Sequence, residues 1–184
     1  LVSCIVAFLF YRFIPESRPA VLDNVKRESL PDTFRGYGIA LRDKAFMAFL
    51  VASVLMGMVY GQMYNSLSVY LSKFHGIDPG GYGFLLTVSA IVVILFQFSV
   101  TRAIKHFPPF LLMAVGTLFY MVGFSLFGFV DTYFLFALAI IIVTLGEMIV
   151  VPTSQGLAAN FAPLELRGRY MAVYGLSWSI PSTI

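Results

Sequence analysis

Within the apolar run 133–159 the sequence places one acidic side chain. Glu147 lies fourteen residues after Tyr133, near the middle of a helix long enough to cross a bilayer. A charge held at that depth costs roughly 2.5 to 3.5 kcal/mol on translocon scales, so an ionisable group there calls for a reason. One reading is architectural, with the carboxyl accepting hydrogen bonds from a neighbouring helix. The other is chemical. Low-dielectric surroundings disfavour a bare charge, and a carboxyl opened alternately to two aqueous sides would carry a proton inward, or pair with a cationic substrate once deprotonated. Each charge moved across the membrane field gains roughly 2.3 kcal/mol per 100 mV, enough to drive uphill export.

The residues around Glu147 favour the chemical reading. At about 100° per residue, Thr144, Glu147, Ser154 and Gln155 fall on one side of the helix as a polar stripe. Gly146 permits close backbone approach, and Pro152 lacks the N–H that would bond the carbonyl of Met148, which invites a bend. In the run 45–72, Gly57, Gly61, Tyr64, Asn65, Ser68 and Ser72 recur at helical spacing as a small and polar face. The spacing Gly57-x-x-x-Gly61 also suits tight helix packing. Candidate substrate-cavity residues are Tyr60, Gln62, Tyr64, Asn65, Gln97, Gln155 and Trp178. Gln97 is the main polar group deep in its run, with Thr101 one turn on, and either alternatively bonds between helices. Trp178 continues a stripe begun by Tyr170 and Tyr174. His75 and His106 fall in loops and read as surface histidines.

The elements that must position these residues are membrane helices. Hydrophobic residues make up 59% of the chain and charged residues 11%, against about 25% charged in an average soluble domain; mean hydropathy is +0.88. Too little polar material is present to coat a water-soluble globule. A crossing helix needs about 20 mainly apolar residues, which predicts helices over 45–72, 82–104, 109–130 and 133–159, with a truncated one over 169–184. Residues 1–14 read as the end of a helix begun upstream. Residues 15–44, with Pro15, Pro19, Pro31 and mixed charges, read as a cytoplasmic linker that tolerates relative movement. Eleven of the twelve Lys and Arg residues lie on one side of this alternation: those of the linker region, then Arg102 and Lys105, then Arg167 and Arg169. Only Lys73 lies on the other. The positive-inside rule puts the eleven in the cytoplasm.

The lone Cys4 excludes a disulfide framework or a metal-binding cysteine pair. The sequence has no glycine-rich phosphate loop, no histidine pair at metal spacing and no catalytic pair at membrane depth. ATP hydrolysis, metal or other cofactors and nucleic-acid binding are therefore not expected, and an ion gradient would have to supply energy.

The most specific stretch is Gly146-Glu147-Met148-Ile149-Val150-Val151-Pro152, followed by Ala158-Ala159-Asn160-Phe161-Ala162-Pro163 and Leu166-Arg167-Gly168-Arg169-Tyr170-Met171. It resembles the tenth helix, cytoplasmic loop and eleventh-helix start of bacterial drug:proton antiporters of the major facilitator superfamily. Val100-Thr101-Arg102-Ala103-Ile104-Lys105 is similar to the second-half counterpart of that superfamily's glycine-aspartate-arginine loop, but lacks its glycine and aspartate. The resemblance implies an all-α membrane protein. The chain would be the C-terminal bundle of a twelve-helix fold from the end of helix six into helix eleven, working by alternating access with an N-terminal half that lies outside this sequence. It further implies that Glu147 occupies the position of a glutamate used in proton coupling or cation binding. Arg102, Arg167 and Arg169 become candidates for cytoplasmic gating. Residues 60–68 contain no acid, so a second coupling carboxylate would lie in the other half.

The expectation is a proton-coupled exporter of small amphipathic or cationic compounds in the inner cell membrane, with small-molecule substrate, protons and lipid as partners. The alternatives are a carrier of sugars, peptides or other metabolites and, further off, an intramembrane enzyme or a receptor subunit.

Overall fold

A computed structural model describes residues 8, 11–13 and 30–181 of the chain. The rest of the expected helix end at 1–14, the first half of the expected linker and residues 182–184 lie outside the described residues. The chain divides into two compact units, Leu1–Arg35 and Gly36–Ile184. In the first, Phe8, Tyr11, Arg12 and Phe13 are helical and exposed. The second unit starts inside the stretch read as linker, because Ala40 is fully buried with Phe46 and Tyr170 and fixes this part of the chain onto the bundle.

All regular structure among the described residues is helical. Helix α1 spans Leu30–Arg42, α2 Lys44–Asn65, α3 Leu67–His75, α4 Pro79–Ile104, α5 Pro109–Leu126, α6 Tyr133–Phe161, α7 Arg167–Tyr174 and α8 Leu176–Ser179, with a 3-10 turn at Leu164–Leu166 between α6 and α7. Four of them, α2, α4, α5 and α6, are long and apolar enough to cross a membrane.

The helix ends follow from local chemistry. Asp43 starts α2 by accepting the Ala45 and Phe46 amides at 3.1 Å each, which satisfies donors that have no partner inside the helix. The run expected over 45–72 breaks at Ser66 and continues as α3 to His75. Gly76 ends it at φ 65°, with the Ile77 amide reaching back to the Leu71 carbonyl at 3.1 Å, a closure that favours glycine. Pro79 to Gly81, although turn-like in sequence, form the first turn of α4, because Asp78 caps the Gly81 amide at 2.9 Å and Pro79 has no N–H to leave unpaired. Helix α5 stops at Leu126, short of the expected 130, because Gly128 and Phe129 turn back onto Ser125 and Leu126. The last expected helix, over 169–184, is interrupted at Gly175.

Helix α6 is the centre of the bundle: 44% of its apolar window is buried, against 11% for α4. It packs against α5 along most of its length through glycines. Gly123 and Gly116 of α5 and Gly146 of α6 bring the two backbones so close that a Cβ at Gly146 would sit 2.9 Å from the Gly116 carbonyl oxygen. Hydrocarbon supplies no hydrophobic drive between helices, so contact of this kind holds membrane helices together. On the α4 side, Thr144 donates to the Ile140 carbonyl at 2.8 Å and accepts from Ser89 at 2.8 Å in a fully enclosed position.

The two ends of the bundle are tied separately. At the basic end the Tyr170 hydroxyl donates to Asp43 Oδ2 at 3.2 Å, with the Phe46 ring 4.6 Å from that of Tyr170 and the Phe49 ring stacked 5.8 Å from Tyr174. At the other end Tyr133 donates to the Gly81 carbonyl at 2.8 Å. There His75 departs from the surface reading. Its side chain is 13% exposed, with Nδ1 3.9 Å from Asp131 and Nε2 3.2 Å from the Tyr70 hydroxyl. Its ring stands edge-on 4.7 Å from Phe136. The left-handed Gly76 ends the helix there, so the His75 ring remains on α3 and packs against α6. His106 is exposed.

Candidate functional site

Glu147 sits half-buried in the middle of α6. Across from it on α2, Tyr60 stands close enough to interact with the carboxylate, and Tyr120 of α5 is near enough to feel its charge. The Tyr60 hydroxyl is also 3.2 Å from that of Tyr64, one turn further along α2. Glu147, Tyr60 and Tyr64 thus form a short row of polar groups that leads from the acid outward. Tyr60 is 8% exposed and Tyr64 54%, so the row runs from enclosed to open surroundings.

Its open end is a cleft of about 290 Å³ between α2 and the α8 segment, lined by Tyr60, Tyr64, Asn65 and Trp178 together with Gly57, Gly61, Ser177 and Pro181. Four of the seven cavity residues expected from sequence thus converge. The other three do not. Gln62 points to the opposite side of α2, where it accepts from Ser66 Oγ at 2.6 Å and borders a separate groove with Phe124 and Phe127. Gln97 is held against α6, donating to the Met148 carbonyl at 3.2 Å and to Thr101 Oγ1 at 3.0 Å. Gln155 is exposed further along α6. Helical spacing separates Gln62 from its neighbours: Tyr60 and Tyr64 are about 40° apart around the axis, and Gln62 lies roughly 160° or more from both.

A second, smaller cavity of about 30 Å³ also borders Tyr60, with Ser53, Gly57, Ser154, Tyr174 and Ser177 among its walls. Tyr174 donates to Ser154 there at 2.8 Å. Ser154, expected on a polar stripe beside Glu147, therefore belongs to the contact of α6 with α7. Ser177, which sequence reasoning passed over, is 3% exposed, and its Oγ alone among the described residues is a buried side-chain oxygen with no partner. A buried hydroxyl left unbonded is costly. Its position at the wall of both spaces makes it a ready partner for water or a bound molecule. A larger groove, about 880 Å³, runs between α2 and α5, but alanine, methionine and phenylalanine side chains dominate its walls and no charged residue lines it.

The two glycines of the Gly57-x-x-x-Gly61 spacing have different surroundings. A Cβ at Gly57 would stand 2.8 Å from the Ser177 carbonyl oxygen and 3.0 Å from Pro181 Cγ, whereas nothing lies within 4 Å of one at Gly61. In the complete protein we expect Gly57→Leu to push α8 off α2 and weaken ligand binding by about tenfold or more, the effect of some 1.4 kcal/mol. Gly61→Ala should leave binding intact. Equilibrium binding to purified protein distinguishes them.

The gating candidates separate in a similar way. Arg102, in the last turn of α4, and Arg167, at the start of α7, are exposed. Arg169 folds over Gly36 of α1, where any side chain would collide with its guanidinium group. Among the described residues no group of three or more His, Cys, Asp or Glu side chains is arranged to hold a metal ion.

A membrane-crossing helical bundle with a half-buried carboxylate in the middle of its central helix, beside tyrosines that line an open cleft, has the form of a transporter domain. The sequence model of the Major Facilitator Superfamily matches residues 1–184, and the chain belongs to that family of transporters. It is similar to a protein of Planococcus maritimus named as a Na(+), Li(+), K(+)/H(+) antiporter, with 26% identity over 168 residues, covering 84% of this chain and 40% of the relative. It is also similar to the MFS-type transporter YdeE of Escherichia coli K12, 28% identical over 148 residues that cover 76% of this chain and 36% of the relative. A third relative is YttB of Bacillus subtilis 168, 31% identical over 137 residues that cover 71% and 34%. The chain spans two-fifths or less of the length of these relatives.

Proposed function

We propose that the complete protein is a proton-coupled secondary transporter that exports small cationic or amphipathic compounds, with Glu147 as its proton- and cation-exchanging group. The observation that carries this reading is the row Glu147–Tyr60–Tyr64 ending at an aromatic cleft. A carboxylate that gives up its proton toward the cleft becomes the negative partner a cation needs. Tyr60, Tyr64 and Trp178 line that cleft, and an organic cation over the face of such a ring gains about 0.5 to 1 kcal/mol where exposed and more where desolvated. Proton and cation then compete for one site, which is sufficient for exchange if the site opens to one side of the membrane at a time.

Inorganic monovalent cations are the second reading, favoured by the name of the Planococcus relative. The aromatic lining argues for the organic class, since a small hard cation takes its ligands from oxygen. The test is flux in proteoliposomes holding the complete protein, loaded with a pH-sensitive dye. A lipophilic organic cation should release protons on addition, with Na⁺ and K⁺ giving little response. Response to Na⁺ or K⁺ alone would select the second reading. Proton movement with neither would overturn both and leave a neutral metabolite as substrate.

The hydroxyl row carries its own prediction. Tyr60→Phe removes the hydroxyl between the acid and Tyr64 without changing the ring, so we expect exchange to slow about tenfold, less than the roughly 100-fold or more that a direct proton-transfer group contributes. Tyr64→Phe should have a smaller effect, because Tyr64 stands at the open end of the row, where water can take the place of its hydroxyl. Stopped-flow dye quenching in the same vesicles measures both.

A further inference from the structure

The ring of Pro152 removes one N–H from the ladder of α6, and the carbonyl left without it is that of Met148. Met148 is 1% exposed, so water does not reach this oxygen freely. A buried carbonyl without a donor is costly. Gln97 of α4 supplies the donor, with Nε2 3.2 Å from the Met148 carbonyl oxygen. The same amide group directs its other hydrogen to Thr101 Oγ1 at 3.0 Å, one turn along its own helix, which fixes the rotamer that reaches across. The freed carbonyl belongs to the residue after Glu147.

From this geometry we infer that Gln97 is a positioning residue that latches the Pro152 hinge of α6 and thereby sets the orientation of the Glu147 side chain. A proline removes a bond and clashes with the preceding turn, so a helix bends most easily there. While Gln97 is bonded, α6 is held in one arrangement against α4. When the bond is released, the segment carrying Glu147 can tilt relative to the segment after Pro152. The inference concerns the hinge, and it stands whether or not Glu147 moves protons.

The test is a double-mutant cycle in the complete protein with Cys4→Ser. Spin labels are placed on Leu138→Cys and Asn160→Cys, exposed positions of α6 on either side of the hinge. The background protein should give one narrow distance distribution. Gln97→Met, of similar length but without a donor, should broaden it or add a second distance. Pro152→Ala restores the N–H at position 152, and on that background Gln97→Met should change nothing. Transport should follow the same pattern, with a loss of about five- to tenfold on the Pro152 background and none on the Ala background, the scale of one hydrogen bond. Equal broadening by Gln97→Met on both backgrounds, or on neither, would overturn the inference. Correct distances in a protein that moves no protons would instead count against the proposed function alone.

Discussion

Glu147→Gln in the complete transporter is expected to abolish proton-driven export while the protein remains folded in the membrane. Glutamine keeps the length and shape of the side chain, and its amide can take the same place beside Tyr60. It also removes the cost of an ionisable group at membrane depth, so folding should not suffer. What it cannot do is bind and release a proton or present a negative charge to a cation. The loss should be about 100-fold or more, the range in which proton-transfer groups contribute. Everted vesicles with an imposed pH gradient measure it directly. Counterflow of labelled against unlabelled substrate, which needs no net proton movement, separates the two duties of the acid. Persistent counterflow means Glu147 serves coupling alone, and its loss means the same carboxylate also holds the cation. Export at the normal rate by the glutamine variant would remove Glu147 from the mechanism.

Gly123→Leu and Gly146→Leu should each deplete folded protein from the membrane, the largest structural effect we expect from single changes. A Cβ at Gly123 would stand 2.5 Å from Val143 Cγ2, 3.0 Å from the Val143 nitrogen and 3.1 Å from the Ala139 carbonyl oxygen. The last two are backbone atoms of α6, so no rotamer change clears them and the helices must separate. At Gly146 the obstacles are the Gly116 carbonyl oxygen at 2.9 Å, Tyr120 Cδ1 at 2.9 Å and Phe119 Cβ at 3.0 Å. Overpacking usually costs about 1 to 3 kcal/mol. Here the upper end or beyond is expected, because close approach is what holds α5 on α6. Gly156→Ala supplies the contrast within α6, since nothing lies within 4 Å of a Cβ there and alanine improves helix propensity by roughly 1 kcal/mol. Thermal unfolding of detergent-purified protein should show a large fall for the two leucine variants and none for Gly156→Ala. Equal melting temperatures for all would mean the α5–α6 contact is looser than the glycine spacing indicates.

The residues at the helix ends show how much the sequence determines by itself. The runs that become α2, α4, α5 and α6 are visible as apolar length, because each must satisfy its backbone internally. The freed carbonyl of Met148 was likewise readable, since a proline always acts four residues back. So was the isolation of Glu147, because depth follows from position in the run. Even the separation of Gln62 from Tyr60 and Tyr64 was present in the helical period. The boundaries were less legible where a capping side chain competes with turn-like composition, as at Asp78 before Pro79 to Gly81.

Only the tertiary structure decided which side chains answer one another. The donor to the Met148 carbonyl comes from a residue 51 positions away, and Gln97 carried no mark distinguishing a clamp from cavity lining. Gly57 and Gly61 looked alike until one met the Ser177 carbonyl and the other met open space. Gly116 and Gly123 acquired their meaning from Gly146 and Val143 on the facing helix, and His75 became an inner residue only once Phe136 lay against it. Periodicity, caps and burial cost are properties of a short stretch of chain and are written in it. A contact between helices depends on the rotation and depth at which two whole surfaces interlock, and no stretch of either helix contains that by itself.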